Sequence, residues 1–196
     1  MATNDQLPKL TLIGSESQAG SYLLRIRVTT DLVLNFGRFK KGKQIAVSKG
    51  TYAYVGSALS QKGSTSLGRR LIRHATRTGQ KPSQAIRQHL LERFQVVGLG
   101  QGDLRPRNGK TLFWNIDHLL DRESVRLTHV IALRSPDRIE ASLGQFMMQD
   151  KATVIFEAGL GANDVPGNTH ILQVVADEAW WIVLPERLGE RFQAHL

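Results

Sequence analysis

Arg70 and His74 stand four residues apart, and Arg69, Arg73 and Arg77 repeat that spacing from one residue earlier. On a helix, residues four apart share a face, so these make two adjacent ridges of positive charge. No Asp or Glu lies between 66 and 80. Like charges at this spacing repel by a few tenths of a kcal/mol per pair, a penalty that a bound anion removes. Phosphate binding is the chemistry such a helix suits. The competing reading is a solvated basic face, which is what a run of charge ordinarily means.

A helix must carry those residues. Leu67, Leu71, Ile72 and Ala75 give the apolar stripe that predicts one over roughly 66–77. A second is predicted over about 82–96, with Pro82 near its first turn and Ile86, Leu90, Leu91 and Phe94 inside. Ahead of them, 21–29 alternates, with Tyr22, Leu24, Ile26 and Val28 on one side, which predicts a half-buried strand. Short strands are expected at 32–36 and 43–48. A longer one is expected at 50–58, with Tyr52 and Tyr54 facing together. Residues 98–110, rich in Gly, Arg and Asn, read as a mobile basic loop. A short helix at 114–121, a strand at 125–134, a helix opening at Pro136 and strands at 153–156 and 169–176 complete the domain. Residues 1–17 read as a polar arm. Residues 177–196 read as a C-terminal helical extension anchored by Trp180 and Trp181. Strands first and helices after make this an α+β layout.

A chain of 196 residues is long enough for one domain with a real core, and its 41% hydrophobic content is too high for disorder. The formal net charge of +9 makes a polyanion the first partner to consider: DNA, RNA or an acidic membrane surface. Simple solubility is the alternative. Zero cysteine excludes disulfides, cysteine zinc sites, iron–sulfur clusters and thiol nucleophiles. The six histidines offer no zinc-type His-x-x-x-His or Glu-x-x-His spacing. There is no secretory signal pattern and no apolar run near the roughly 20 residues of a membrane span, so the expectation is a soluble, cytoplasmic protein.

A second constellation is more specific. Gly20-Ser21-Tyr22 falls on one predicted strand and Tyr54-Val55-Gly56-Ser57-Ala58 on another, followed by Arg70 with His74 and, later, Glu140. With Trp114-Asn115-Ile116-Asp117-His118, Gly159-Leu160-Gly161-Ala162-Asn163-Asp164 and Thr169-His170-Ile171-Leu172, these segments resemble the GIY-YIG nuclease superfamily, in particular its small Uri-type endonuclease-like group. The likeness covers roughly 18–176. It implies a small central, mostly antiparallel sheet flanked by helices, here with a helical insertion over about 76–110.

Phosphodiester hydrolysis needs an activated water, a Lewis acid and a cation for the developing charge. A magnesium-type ion takes oxygen ligands and uses only one or two carboxylates. The resemblance makes Glu140 that carboxylate, holding Mg2+ or Mn2+, and Arg70 the cation on the scissile phosphate. It makes Tyr54 the candidate base, Tyr22 the partner that orients water, and His74 a hydrogen-bonding group beside them. The plain alternatives are core packing for the tyrosines, a helix-surface role for His74 and Glu140, and surface charge for Arg70. Arg69, Arg73, Arg77, Arg105 and Arg107 would track the nucleic acid. Asp117 and Asp164 read as supporting residues in a cap or turn.

The chain departs from that group in places. Asn115 stands where His is commoner, Val165 and Gly167 stand where cysteines are often found, and Asn163 or Asn168 is the candidate for the group's late Asn. The leading expectation is a metal-dependent endonuclease acting on DNA, with RNA left open. The alternative is a catalytically weak or inactive nucleic-acid-binding module of the same fold. An adaptor docking through Trp180 and Trp181 explains the tail only.

Overall fold

The alternating stretch near residue 21 becomes strand β2 (Gly20–Val28), and the Tyr52–Tyr54 segment becomes β5 (Gly50–Ala58). They pair antiparallel throughout, with Tyr22 opposite Gly56 and Leu24 opposite Tyr54. The computed structural model describes residues 8–14, 16–63, 65–162 and 167–196. Within them a six-stranded sheet runs in the order β1 (Leu10–Gly14), β6 (Val125–Arg134), β2, β5, β8 (Ile171–Val174), β7 (Thr153–Val154). β1 is parallel to β6, and the other pairings are antiparallel. β3 (Leu32–Leu34) and β4 (Ile45–Val47) form a separate hairpin.

Helices sort to the two faces of this sheet. α1 (Leu67–His74), α2 (Ile86–Val96) and α3 (Asn115–Leu120) bury Leu71, Leu90 and Leu119 against Tyr22, Leu24 and Tyr54. α4 (Glu140–Gln149) and α5 (Glu178–Phe192) bury Leu143, Met147, Trp181 and Leu184 against Leu23, Val55 and Leu133. The fold is α+β, with a central, mostly antiparallel sheet flanked by helices.

Several expectations need correction. β2 is not half-buried. It lies between two layers of helices, so both of its faces are core and its alternation separates one apolar layer from the other. The arm over 1–17 contains the edge strand β1, which pairs with β6 because Leu10 and Leu12 pack on one core and Ile13 on the other. α2 starts at Ile86, not at Pro82. Gln84 instead donates its amide to the Leu120 and Val125 carbonyls and accepts the Leu127 N–H, which ties the chain ahead of the helix to the end of α3 and the start of β6. The insertion is no decoration, since Ile86, Leu90 and Phe94 complete the first core. The 98–110 segment is pinned by buried Leu99, Leu104 and Lys110. The C-terminal extension covers the second face through Trp181, and Arg25 on β2 makes a two-pronged ion pair with Glu178.

Beyond β3, Lys40 and Lys41 both adopt left-handed backbone angles (φ 45° and 58°). Such a conformation costs an L-residue roughly 1–2 kcal/mol. Gly37, with φ 66°, turns the chain just before them, and a Cβ there would come within 2.9 Å of the His118 ring.

Candidate active site

Tyr22 and Tyr54 come from neighbouring central strands and share one face, with ring centroids 6.2 Å apart. Room for the Tyr22 hydroxyl exists because residue 56 is glycine, where a Cβ would lie 2.6 Å from that oxygen. His74, on the inner side of α1, is fully buried, and its Nε2 lies 2.8 Å from the Tyr22 hydroxyl. The His74 and Tyr54 ring centroids are 5.8 Å apart. Behind His74 stands Asp117, at the third position of α3 and fully buried.

Asp117 is the centre of charge in this layer. It accepts the Phe113 and Trp114 N–H groups and a bond from Arg73, each at 3.0 Å. Lys110 Nζ lies 3.2 Å from its other oxygen, and His74 Nδ1 faces that oxygen at 3.6 Å. Burial works to raise the Asp117 pKa, but contact with His74 and the Lys110 charge overrule it and hold the carboxyl well below its ordinary range. Burial also pushes the His74 imidazole down to about 4, against the pull of Asp117. Its neutral form is therefore the stable one. The Tyr22 and Tyr54 phenols are pushed up by desolvation, with Arg70 opposing the rise in both.

Arg70 sits over Trp114 with its guanidinium carbon 3.8 Å from the ring centroid, and that of Arg73 stands 4.7 Å away over the same ring. This stacking fixes the Arg70 guanidinium beside the tyrosines, where its charge is felt by Tyr22, Tyr54 and Glu140. Glu140 enters from the other side as the first residue of α4. Ser57 Oγ donates to one of its oxygens, and His170 Nδ1 lies 3.4 Å from the other. Burial would raise the Glu140 pKa, yet His170, Ser57 and Arg70 together hold it below the usual value.

Tyr22, Tyr54, Arg70, His74 and Glu140 thus converge. The basic track does not hold together in the same way. Arg77 is buried and spends its guanidinium on the Leu120, Pro82 and Val125 carbonyls, so it is a structural residue and not a surface one. Arg73 turns inward to Asp117 and the Thr111 carbonyl. Arg69, Arg105 and Arg107 do meet, with Arg73, around a cleft of about 450 Å³. Tyr52 shares the face of Tyr54, as expected, but its hydroxyl donates to the Ser48 carbonyl at 2.9 Å, away from this cluster. Asn168 holds the start of α4 through the Ala141 carbonyl, while Asn163 and Asp164 lie outside the described residues.

Sequence reasoning underrated Asp117 and assigned no role to Ser57, Lys110, Trp114 or His170. Ser57 carried a signal only as part of the Tyr54–Ala58 segment that bears the resemblance. Lys110 carried none, because only the fold brings residue 110 to residue 117.

An α+β sheet with a buried polar cluster opening beside Tyr54 defines the class of protein by its architecture. The chain belongs to the family described as "Domain of unknown function DUF123", whose family model matches residues 21–184. Comparison with curated proteins and with solved structures found no match. Among the described residues, no helix is long and apolar enough to cross a membrane. Nor do any three His, Asp or Glu side chains among them stand together as a metal-ligand group.

Proposed function

We propose that this chain is a metal-dependent endonuclease of GIY-YIG type that hydrolyses phosphodiester bonds of DNA. One observation carries the reading: the Tyr22, Tyr54 and His74 rings pack together, and the charges of Arg70 on α1 and Glu140 on α4 both act on the two phenols. Core packing would not ask for that set. A cytoplasmic setting suits a cysteine-free chain of this kind.

The donor set suits a magnesium-type ion. Glu140 is a single, partly exposed carboxylate held anionic beside a serine hydroxyl, and such ions take one or two carboxylates with water completing the shell. When bound, Mg2+ or Mn2+ would supply Lewis-acid polarisation of the phosphate. The chain's own groups supply the rest. Arg70 binds the scissile phosphate and offsets the charge that grows in the transition state. Tyr54, at the wall of the open groove, positions the attacking water. Tyr22 is oriented by neutral His74, whose Nε2 accepts its O–H, and Asp117 keeps the imidazole's other nitrogen turned inward.

A second reading, a binding module with little or no turnover, is favoured by the raised pKa of both phenols, which leaves them poor bases at neutral pH. The test is incubation with single-stranded, duplex, flap and branched DNA in magnesium, manganese or chelator. Metal-dependent cleavage is expected. Glu140→Gln should fold and bind DNA but cut at least ~100-fold more slowly, the worth of an electrostatic catalyst. Wild-type protein that binds DNA and cleaves none of these forms would leave the module reading standing.

A further inference from the structure

A groove of about 930 Å³ runs from Tyr54 to the surface between two segments, 37–40 and 112–118. Its outer rim carries Phe113, a large aromatic residue that is nonetheless 74% exposed. Phe113 is not loose. Its N–H is held by Asp117, and its ring stands edge-on to Trp114 with centroids 5.0 Å apart. Trp114 itself is covered by Arg70 and Arg73, so Phe113 is the ring left open to a visitor.

The opposite rim is cationic. Residues 38–43 read Arg-Phe-Lys-Lys-Gly-Lys, and Lys40 with Lys41 holds the strained left-handed backbone described above. Lys40 is paired with Glu157, whereas Arg38, exposed on the groove wall, has no acidic partner among the described residues. Strain of this kind persists where a fold has use for the geometry. Of this basic stretch, Arg38 and Lys40 line the groove that ends at Tyr54.

An aromatic platform facing a cationic rim is the pattern that tracks an unpaired strand, because phosphates follow the charge and a base stacks on the ring. Paired bases keep their faces stacked on one another and cannot use Phe113. We infer that the groove takes an unpaired nucleic-acid strand, with one base stacked on Phe113 and its backbone led past Arg38 to Tyr54. This deepens the nuclease reading and rests on it for the identity of the substrate.

Labelled oligo-dT, oligo-rU and a blunt hairpin duplex, each titrated with full-length protein in chelator, measure binding with cleavage suppressed. Wild type should prefer an unpaired strand to the duplex, and the dT and rU arms tell which sugar is favoured. Phe113→Ala should weaken unpaired-strand binding roughly tenfold, as loss of one stacked base does, and leave duplex binding unchanged. Phe113→Tyr should restore it. Equal loss on both forms, or no loss on either, overturns the inference. Cleavage is scored separately with metal. Metal-dependent cleavage of duplex that ignores Phe113 would refute the unpaired-strand inference and keep the nuclease. Phe113-dependent strand binding with no cleavage would refute the nuclease and keep the groove.

Discussion

The imidazole of His74 bridges Tyr22 and Asp117: Nε2 lies 2.8 Å from the phenol oxygen, and Nδ1 faces the carboxylate at 3.6 Å. The arrangement assigns the tautomer by its surroundings, with the proton on the nitrogen facing the anion and a lone pair toward Tyr22. All three side chains are fully buried, so the link belongs to the core and the site at once.

Stability should fall in mild acid for that reason. The folded His74 pKa of about 4 lies below the unfolded value near 6.5, so the unfolded chain binds the extra proton first. The contribution is complete above pH 6.5 and is lost as pH falls toward 4, amounting to about 3 kcal/mol. Asp117, also depressed, adds its own loss at still lower pH, once the unfolded carboxyl takes up its proton. Urea midpoints measured from pH 7 to pH 4 should show this slope in wild type and a shallower one in His74→Gln. Parallel profiles would contradict it.

Arg77→Ala should unfold the protein more readily, and its effect on DNA binding should follow from that alone. The change removes the guanidinium's bonds to three carbonyls; Gln84 still serves those of Leu120 and Val125, while that of Pro82 loses its donor, a cost of about 2 kcal/mol. Arg69→Ala, on the open cleft, should leave stability within about 0.5 kcal/mol and weaken DNA binding in low salt. Thermal melts beside binding titrations separate the two. A stable Arg77→Ala with selectively weakened binding would restore it to the surface track.

Gly56→Ala should damage site and fold together. The new Cβ meets the Tyr22 phenol, which is hemmed in by His74 and Tyr54 and can shift only by disturbing them. Overpacking of this sort costs roughly 1–3 kcal/mol. Cleavage should drop further than the folded fraction, because the hydroxyl leaves Nε2 of His74. Activity scaled by folded fraction, unchanged from wild type, would show that Tyr22 has no part in the chemistry.

How much of this was legible in the sequence depended on whether a signal was local. Period-two and helical stripes marked β2, β5, α1 and β6, because each apolar face repeats within its own segment. The two-sided burial of β2 was not legible, since Leu23 and Tyr22 are both compatible with a half-exposed strand until α4 and α5 cover the second face. The convergence of Tyr22, Arg70, His74 and Glu140 came through the resemblance. Arg77 was misjudged for a physical reason. A helix-spaced arginine looks like surface charge unless one knows that the Leu120, Pro82 and Val125 carbonyls await it. Asp117 was underrated because Arg73 and His74 come from a distant helix and Lys110 reaches it only across the turn before α3. The buried Asp117 carboxylate beside Arg73 is what lets α1 tolerate its cluster of positive charge.

β2 separates two interiors with one alternating code, and this makes its alignment against β5 intolerant of error. A slip by a single residue would turn Leu23 toward His74 and send the Tyr22 phenol into the apolar second core. Misalignment would therefore part the hydroxyl from its histidine and leave an idle imidazole behind. The hydrogen bond between Tyr22 and His74 acts as a proofreading contact for the sheet, and a correctly threaded strand and a competent site arise in the same event.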